Sequence, residues 1–185
     1  MLKKILLFAL ICFSLNAFSQ AAIDPETGEY RNERTLSIGY TLGIINNLGS
    51  FGKAKANSIV FSFEKNRNPR LGWRWPTLIT FENGFSSFVS GLNLKVYTND
   101  HAVIRGFVGP EFTLGYTNGG FTSGGTLSGD LGEGNILLDL GIDWNPLPEL
   151  NISFHPGFGY VFYFNKGTYV GRYNTRVNFS IGFNF

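Results

Sequence analysis

The sequence predicts an all-β chain whose eight antiparallel strands run up and down and close into a transmembrane β-barrel. Three observations predict it. First, segments of roughly ten residues alternate large apolar side chains with small or polar ones. Strand side chains point to opposite faces with a period of two, so each segment has two chemically different sides. Second, the chain is 16% aromatic, with 24 glycines and 19 phenylalanines, yet only 15% charged. Third, the last nine residues alternate without a break and stop on an aromatic. There, Val177, Phe179, Ile181, Phe183 and Phe185 share one face, and Asn178, Ser180, Gly182 and Asn184 share the other.

With 185 residues the chain has the length of one domain. Its N-terminus is read as an export signal. Lys3 and Lys4 precede an apolar stretch from Ile5 to Leu15, and Asn16-Ala17-Phe18-Ser19 supplies small residues before a cut, the pattern of a secretory signal peptide over residues 1–19. The apolar stretch falls short of the ~18 to 20 residues that a membrane-spanning helix needs. Ile11 stands before Cys12 where a lipid-anchor motif wants a small residue. Cleavage near Ser19 removes that cysteine, and with it any disulfide or thiol chemistry. It also removes Lys3 and Lys4, so 15 basic residues fall to 13 against 13 acids. A basic surface for nucleic acid is therefore not expected. Residues 20–33, polar and carrying Pro25 and Gly28, are expected to form a flexible periplasmic leader, and residues 34–185 the barrel.

Within the barrel the alternation is expected from Arg34 to Ile44, Ser58 to Glu64, Leu71 to Glu82 and Ser87 to Tyr97. It continues from Ala102 to Tyr116, Asn135 to Asn145, Leu150 to Phe164 and Tyr173 to Phe185. Pro76 lies awkwardly inside the third segment, because proline cannot donate to a sheet ladder. An even strand count puts both ends of the barrel on one side. Short turns are then expected at Lys65 to Arg70, Thr98 to His101 and Pro146 to Glu149, the periplasmic side. Outward loops are expected at Asn46 to Asn57, Asn83 to Ser86, Thr117 to Gly134 and Asn165 to Arg172, with the third the longest.

The apolar face carries Trp73, Trp75 and Trp144 at periplasmic strand ends and Tyr116 at an outer end, which reads as interface aromatics. The opposite face is rich in Gly, Ser, Thr and Asn, as suits side chains converging in a narrow cylinder. It also carries Glu64, Arg74, Glu82, Lys95, Arg105, Glu111, Asp139, Asp143 and Arg176. Four cations against five anions predict a lumen charge network that fills the barrel and leaves no pore, since unpaired buried charge is costly.

In these features the chain resembles the small outer-membrane β-barrel proteins of Gram-negative bacteria, of the OmpX and OmpA-transmembrane-domain kind. The residues carrying the likeness are the signal peptide, the eight alternating segments and Val177 to Phe185. That resemblance implies residence in the outer membrane, contact with its lipid, and recognition of Phe179, Ile181, Phe183 and Phe185 by the barrel assembly machinery. It implies no ligand and no cofactor.

Candidate chemistry is sparse. Ser153 and His155 share the lumen face, and a Ser–His pair with a carboxylate is the minimum for acyl transfer. The pairing resembles that of lipid A deacylases, but the order here is Ser-Phe-His rather than His-x-Ser-Asn. His155 is accordingly expected to be a hydrogen-bonded lumen residue and His101 a solvated turn residue. No metal site is expected, because Asp139 and Asp143 lie about 13 Å apart along a strand. The Gly119 to Gly125 tract has Thr126 where a phosphate loop needs lysine, so it reads as a surface loop, with Phe121 beside Phe51, Tyr169 and Tyr173 as outer aromatics. The expected role is a structural or interaction protein acting through its outer loops. The alternatives are an accessory subunit packed against a larger outer-membrane complex and a lipid A-modifying hydrolase.

Overall fold

The computed structural model describes residues 34–46, 53–82, 85–98, 103–119, 129–147, 149–165 and 168–185. The expected signal peptide and leader, His101, Phe51, Phe121 and most of the glycine-rich tract lie outside the described residues. Nine strands follow in chain order: β1 (Arg34–Asn46), β2 (Lys53–Lys55), β3 (Ser58–Asn68), β4 (Leu71–Glu82), β5 (Phe85–Tyr97), β6 (Ile104–Gly119), β7 (Asp130–Leu147), β8 (Leu150–Asn165) and β9 (Thr168–Asn184). From β3 to β9 each pairs antiparallel with the next, and β9 returns to pair with β1 from Thr35↔Asn184 to Asn46↔Tyr173. The sheet is closed.

Short strand β2 is the outer end of β3's own path. Ile44 faces Lys55 and Thr41 faces Ser58 in one continuous register, and between them Gly43 and Ala56 exchange backbone hydrogen bonds of 3.1 and 2.9 Å. The barrel therefore has eight walls, as the alternation predicts. Closure satisfies every ladder without leaving a sheet edge, which is the condition for β-structure in hydrocarbon.

The two faces sort as the period of two requires. Leu36, Ile38, Phe61, Phe112, Leu138, Phe154 and Ile181 all stand exposed on the outside. Inside are buried Asn, Thr, Ser and charged side chains. This is the inverse of a soluble domain. An exposed apolar surface running round the whole barrel far exceeds what a water-facing monomer tolerates. It matches the lipid-facing band, about 25 Å tall, of a transmembrane barrel. Pro76 does not end β4: its ring is buried opposite Ser62 and the ladder to β3 runs through it, while the ladder to β5 skips from Arg74↔Asn93 to Thr77↔Ser90.

At the short-turn end β3 and β4 are joined by two residues, Pro69 and Arg70, and the Asn68 side chain accepts a 2.9 Å bond from the Arg70 backbone N–H. The turn is thus tighter than the expected Lys65 to Arg70. At the other end the strands outrun expectation. β6 continues to Gly119 and β7 begins at Asp130, so much of the expected Thr117 to Gly134 loop is paired sheet. Gly132 faces outward there, and the Phe164 ring occupies the space that a side chain at 132 would need. An aromatic laid over a sheet glycine compensates for its missing contacts.

Candidate functional site

The lumen is where eight of the nine expected charged residues converge. Lys95 is central at the short-turn side: its Nζ lies 2.6 Å from Glu64 Oε2 and 2.8 Å from Asp143 Oδ2. Tyr97 Oη bridges the same two carboxylates, hydrogen-bonded to Glu64 and 2.8 Å from Asp143. Aromatic faces cover the cations. Lys95 sits 4.3 Å from the centroid of Phe107, and the Arg105 guanidinium 4.3 Å from that of Tyr97.

A second cluster lies deeper. Arg74 donates from Nε to Ser62 at 3.0 Å and from Nη1 to His155 Nε2 at 2.5 Å. A guanidinium has no acceptor, so Nε2 holds the lone pair and the ring proton sits on Nδ1. Nδ1 in turn faces Asp139 Oδ2 at 3.5 Å and the side-chain amide of Asn178 at 3.3 Å. Asp139 also accepts from Asn93 at 2.6 Å, while Arg176 pairs with Glu111 and stands 3.7 Å from Asp139. Two glycines make room: a Cβ at Gly157 would lie 2.3 Å from Asp139 Oδ1, and one at Gly141 2.4 Å from His155 Cβ.

Glu82 does not join this network. It is half-buried at the outer rim, where its carboxylate accepts the backbone N–H of Asn57 at 3.2 Å. Glu133, expected in a loop, takes the fifth anionic place instead. It is buried on β7, bonded by Thr117 and, at 2.9 Å, by Asn135. The lumen is also less polar than its composition suggests. Val60, Leu78 and Val89 form one apolar layer inside the outer half, and Ile45, Leu131, Val161 and Tyr163 form another. Between these groups there remains a cavity of about 30 Å³ lined by Thr41, Ser58, Glu133 and Asn174 among others, space for about one water molecule.

No protein-family model matches the chain, and no curated protein matches it in sequence. Solved structures do. The neisserial surface protein A superimposes with a TM-score of 0.63 at 12% identity, covering 84% of this chain and 100% of that one. The fold is that of the small outer-membrane barrels. The N-terminal β-barrel domain of Pseudomonas aeruginosa OprF (TM-score 0.50, 10% identity, 80% and 97% covered) has it too. So does the P. aeruginosa outer membrane protein OprG (0.50, 9% identity, 83% and 96% covered).

Within that fold the other expected residues are placed as follows. Trp73, Trp75, Trp144 and Tyr116 all point outward, the three tryptophans toward the short-turn end. Phe179, Ile181, Phe183 and Phe185 are exposed along β9 and its end, and β9 is held between β1 and β8. Ser153 and His155 both lie inside the barrel, at 3% and 0% exposure. They do not form a nucleophile–base pair. The Nε2 lone pair of His155 is taken by Arg74, and its Nδ1 faces Asp139.

Proposed function

We propose that the protein is a sealed outer-membrane scaffold, a structural or interaction protein that holds its outer loops above the membrane. The observation that carries this reading is the filled lumen. Lys95, Glu64, Asp143 and Tyr97 close one level, and Arg74, His155, Asp139, Glu111 and Arg176 close the next. A solute would have to break both. The β6–β7 hairpin supports contact at the outer side: Asn118 and Asp130 stay exposed and bonded at 2.9 Å, holding its strands together up to the connecting residues 120–128.

Two measurements test the proposal. Purified protein in planar bilayers is expected to give no discrete conductance steps, and regular steps would overturn the sealed reading. Photo-crosslinkers placed at 120–128 in intact cells are expected to capture a partner that the same probe at wall residue Leu138 does not. Capture only from the wall would favour an accessory subunit packed sideways. The apolar side chains of β9 act, in this reading, as the assembly signal. Removing Phe185 is expected to slow insertion in cells while leaving refolding into detergent intact.

A further inference from the structure

Near the short turns the outer wall carries cations among its aromatic side chains. Lys65 and Arg67 on β3 and Trp73 and Trp75 on β4 line an open cleft of about 420 Å³ on the outside of the barrel. The register explains their meeting. Lys65 is the cross-strand partner of Trp73, and Phe63 that of Trp75, with the Phe63 and Trp75 rings 5.7 Å apart. Between Asn66 and Asn68 the ladder slips by one residue, so Arg67 is the extra residue of a β-bulge. Lys65 and Arg67 are two residues apart and share the outward face by ordinary alternation, with the bulge falling at the second of these cations. Arg34 on β1, partner of Lys65 on its other side, is a third exposed cation. Among the described residues, Lys65 and Arg67 make no ion pair.

Cations without partners in a largely apolar wall are costly beside hydrocarbon. At the interface they become useful, because tryptophan rings sit at headgroup depth and lysine and arginine bind phosphate there. We infer that Lys65, Arg67, Trp73 and Trp75 form a binding site for one anionic phospholipid of the leaflet nearest the short turns. The phosphodiester lies against Lys65 and Arg67, and the glycerol and upper acyl chains lie along Trp73 and Trp75. This inference rests on the membrane-spanning reading and adds a lipid partner to it.

Native mass spectrometry of the full chain, released from nanodiscs of phosphatidylcholine mixed with phosphatidylglycerol, tests it. The wild type is expected to retain one phosphatidylglycerol in several-fold excess over phosphatidylcholine. K65Q/R67Q, and to a lesser degree R67Q alone, should lose that excess. K55Q, which removes an exposed cation of β2 at the opposite end, should keep it. Equal retention of the two lipids by the wild type, preference surviving in K65Q/R67Q, or the same loss in K55Q would each overturn the site. Failure to insert into these nanodiscs would instead defeat the membrane-barrel reading itself.

Discussion

Arg74 Nη1 donates to Nε2 of His155 at 2.5 Å, across 81 positions of sequence and from one wall of the barrel to another. The contact decides the histidine's tautomer, since the donor side is fixed by the chemistry of the guanidinium. ¹⁵N spectra of histidine-labelled protein in micelles at neutral pH should therefore show His155 Nδ1 as protonated and Nε2 as unprotonated. Arg74→Met should release that preference. A protonated Nε2 in the wild type would contradict the geometry.

Lys95 holds two carboxylates at once, Glu64 and Asp143, at a site where its own exposure is 1%. Removing the cation leaves two buried carboxylates without the ammonium that bridges them. Breaking a buried pair from one side typically costs about 3–5 kcal/mol. Lys95→Met should lower barrel stability by about that amount in urea unfolding from detergent micelles. Adding Asp143→Asn to Lys95→Met should recover part of the loss, so a double-mutant cycle should show strong coupling between 95 and 143.

The same network shows how far sequence could be read and where it stopped. A period of two fixes which side every residue takes, so Lys95, Glu111, Asp139 and Arg176 were legible as lumen residues from their phase alone. Their pairing was not, because it depends on register between strands far apart in the chain. The outer ends failed for a different reason. From Asp130 to Gly134 the inward positions are Leu131 and Glu133 and the outward ones are polar or glycine. Beyond the lipid the wall no longer needs apolar side chains, while the lumen takes apolar ones as plug. The pattern inverts there, so alternation tuned to the membrane reads as a loop. Arg67 keeps the outward phase of Phe63 and Lys65, and it was hidden because residues 65–70, polar and carrying Pro69, read as a turn rather than as the end of a strand.

Gly141 offers a test of how tightly the lumen is filled. A Cβ there would lie 2.4 Å from His155 Cβ and 2.6 Å from the Phe107 ring, and that ring also covers Lys95. The histidine and phenylalanine rings already meet edge to face at 5.5 Å. Gly141→Ala must displace one of them. Overpacking of this kind costs about 1–3 kcal/mol. The variant should unfold at lower urea than the wild type. Gly129→Ala is its contrast, because a Cβ at 129 meets nothing within 4 Å and only its φ of 105° is strained. That residue lies outside the barrel wall, so its backbone cost should leave the packing of the lumen and the ¹⁵N signals of His155 unchanged.

Leu138 and its neighbour Leu137 separate the lipid from the lumen by one residue. Leu138 is 49% exposed on the outer face of β7 and Leu137 is 2% exposed inside. Leu138 lies in the middle of the apolar run Ile136, Leu138, Leu140 and Ile142, so an arginine there must sit near the bilayer midplane. Depth-dependent costs on barrels are about 2–4 kcal/mol at the midplane and about 0–1 near the interfaces. Leu138→Arg should therefore destabilise the protein in lipid vesicles by about 2–4 kcal/mol. Tyr169→Arg, at the outer end of β9, should cost about 0–1. If the wall were instead covered by a protein partner in the purified state, the ordering by depth would be lost. An equal effect at positions 138 and 169 would argue against a lipid-facing wall.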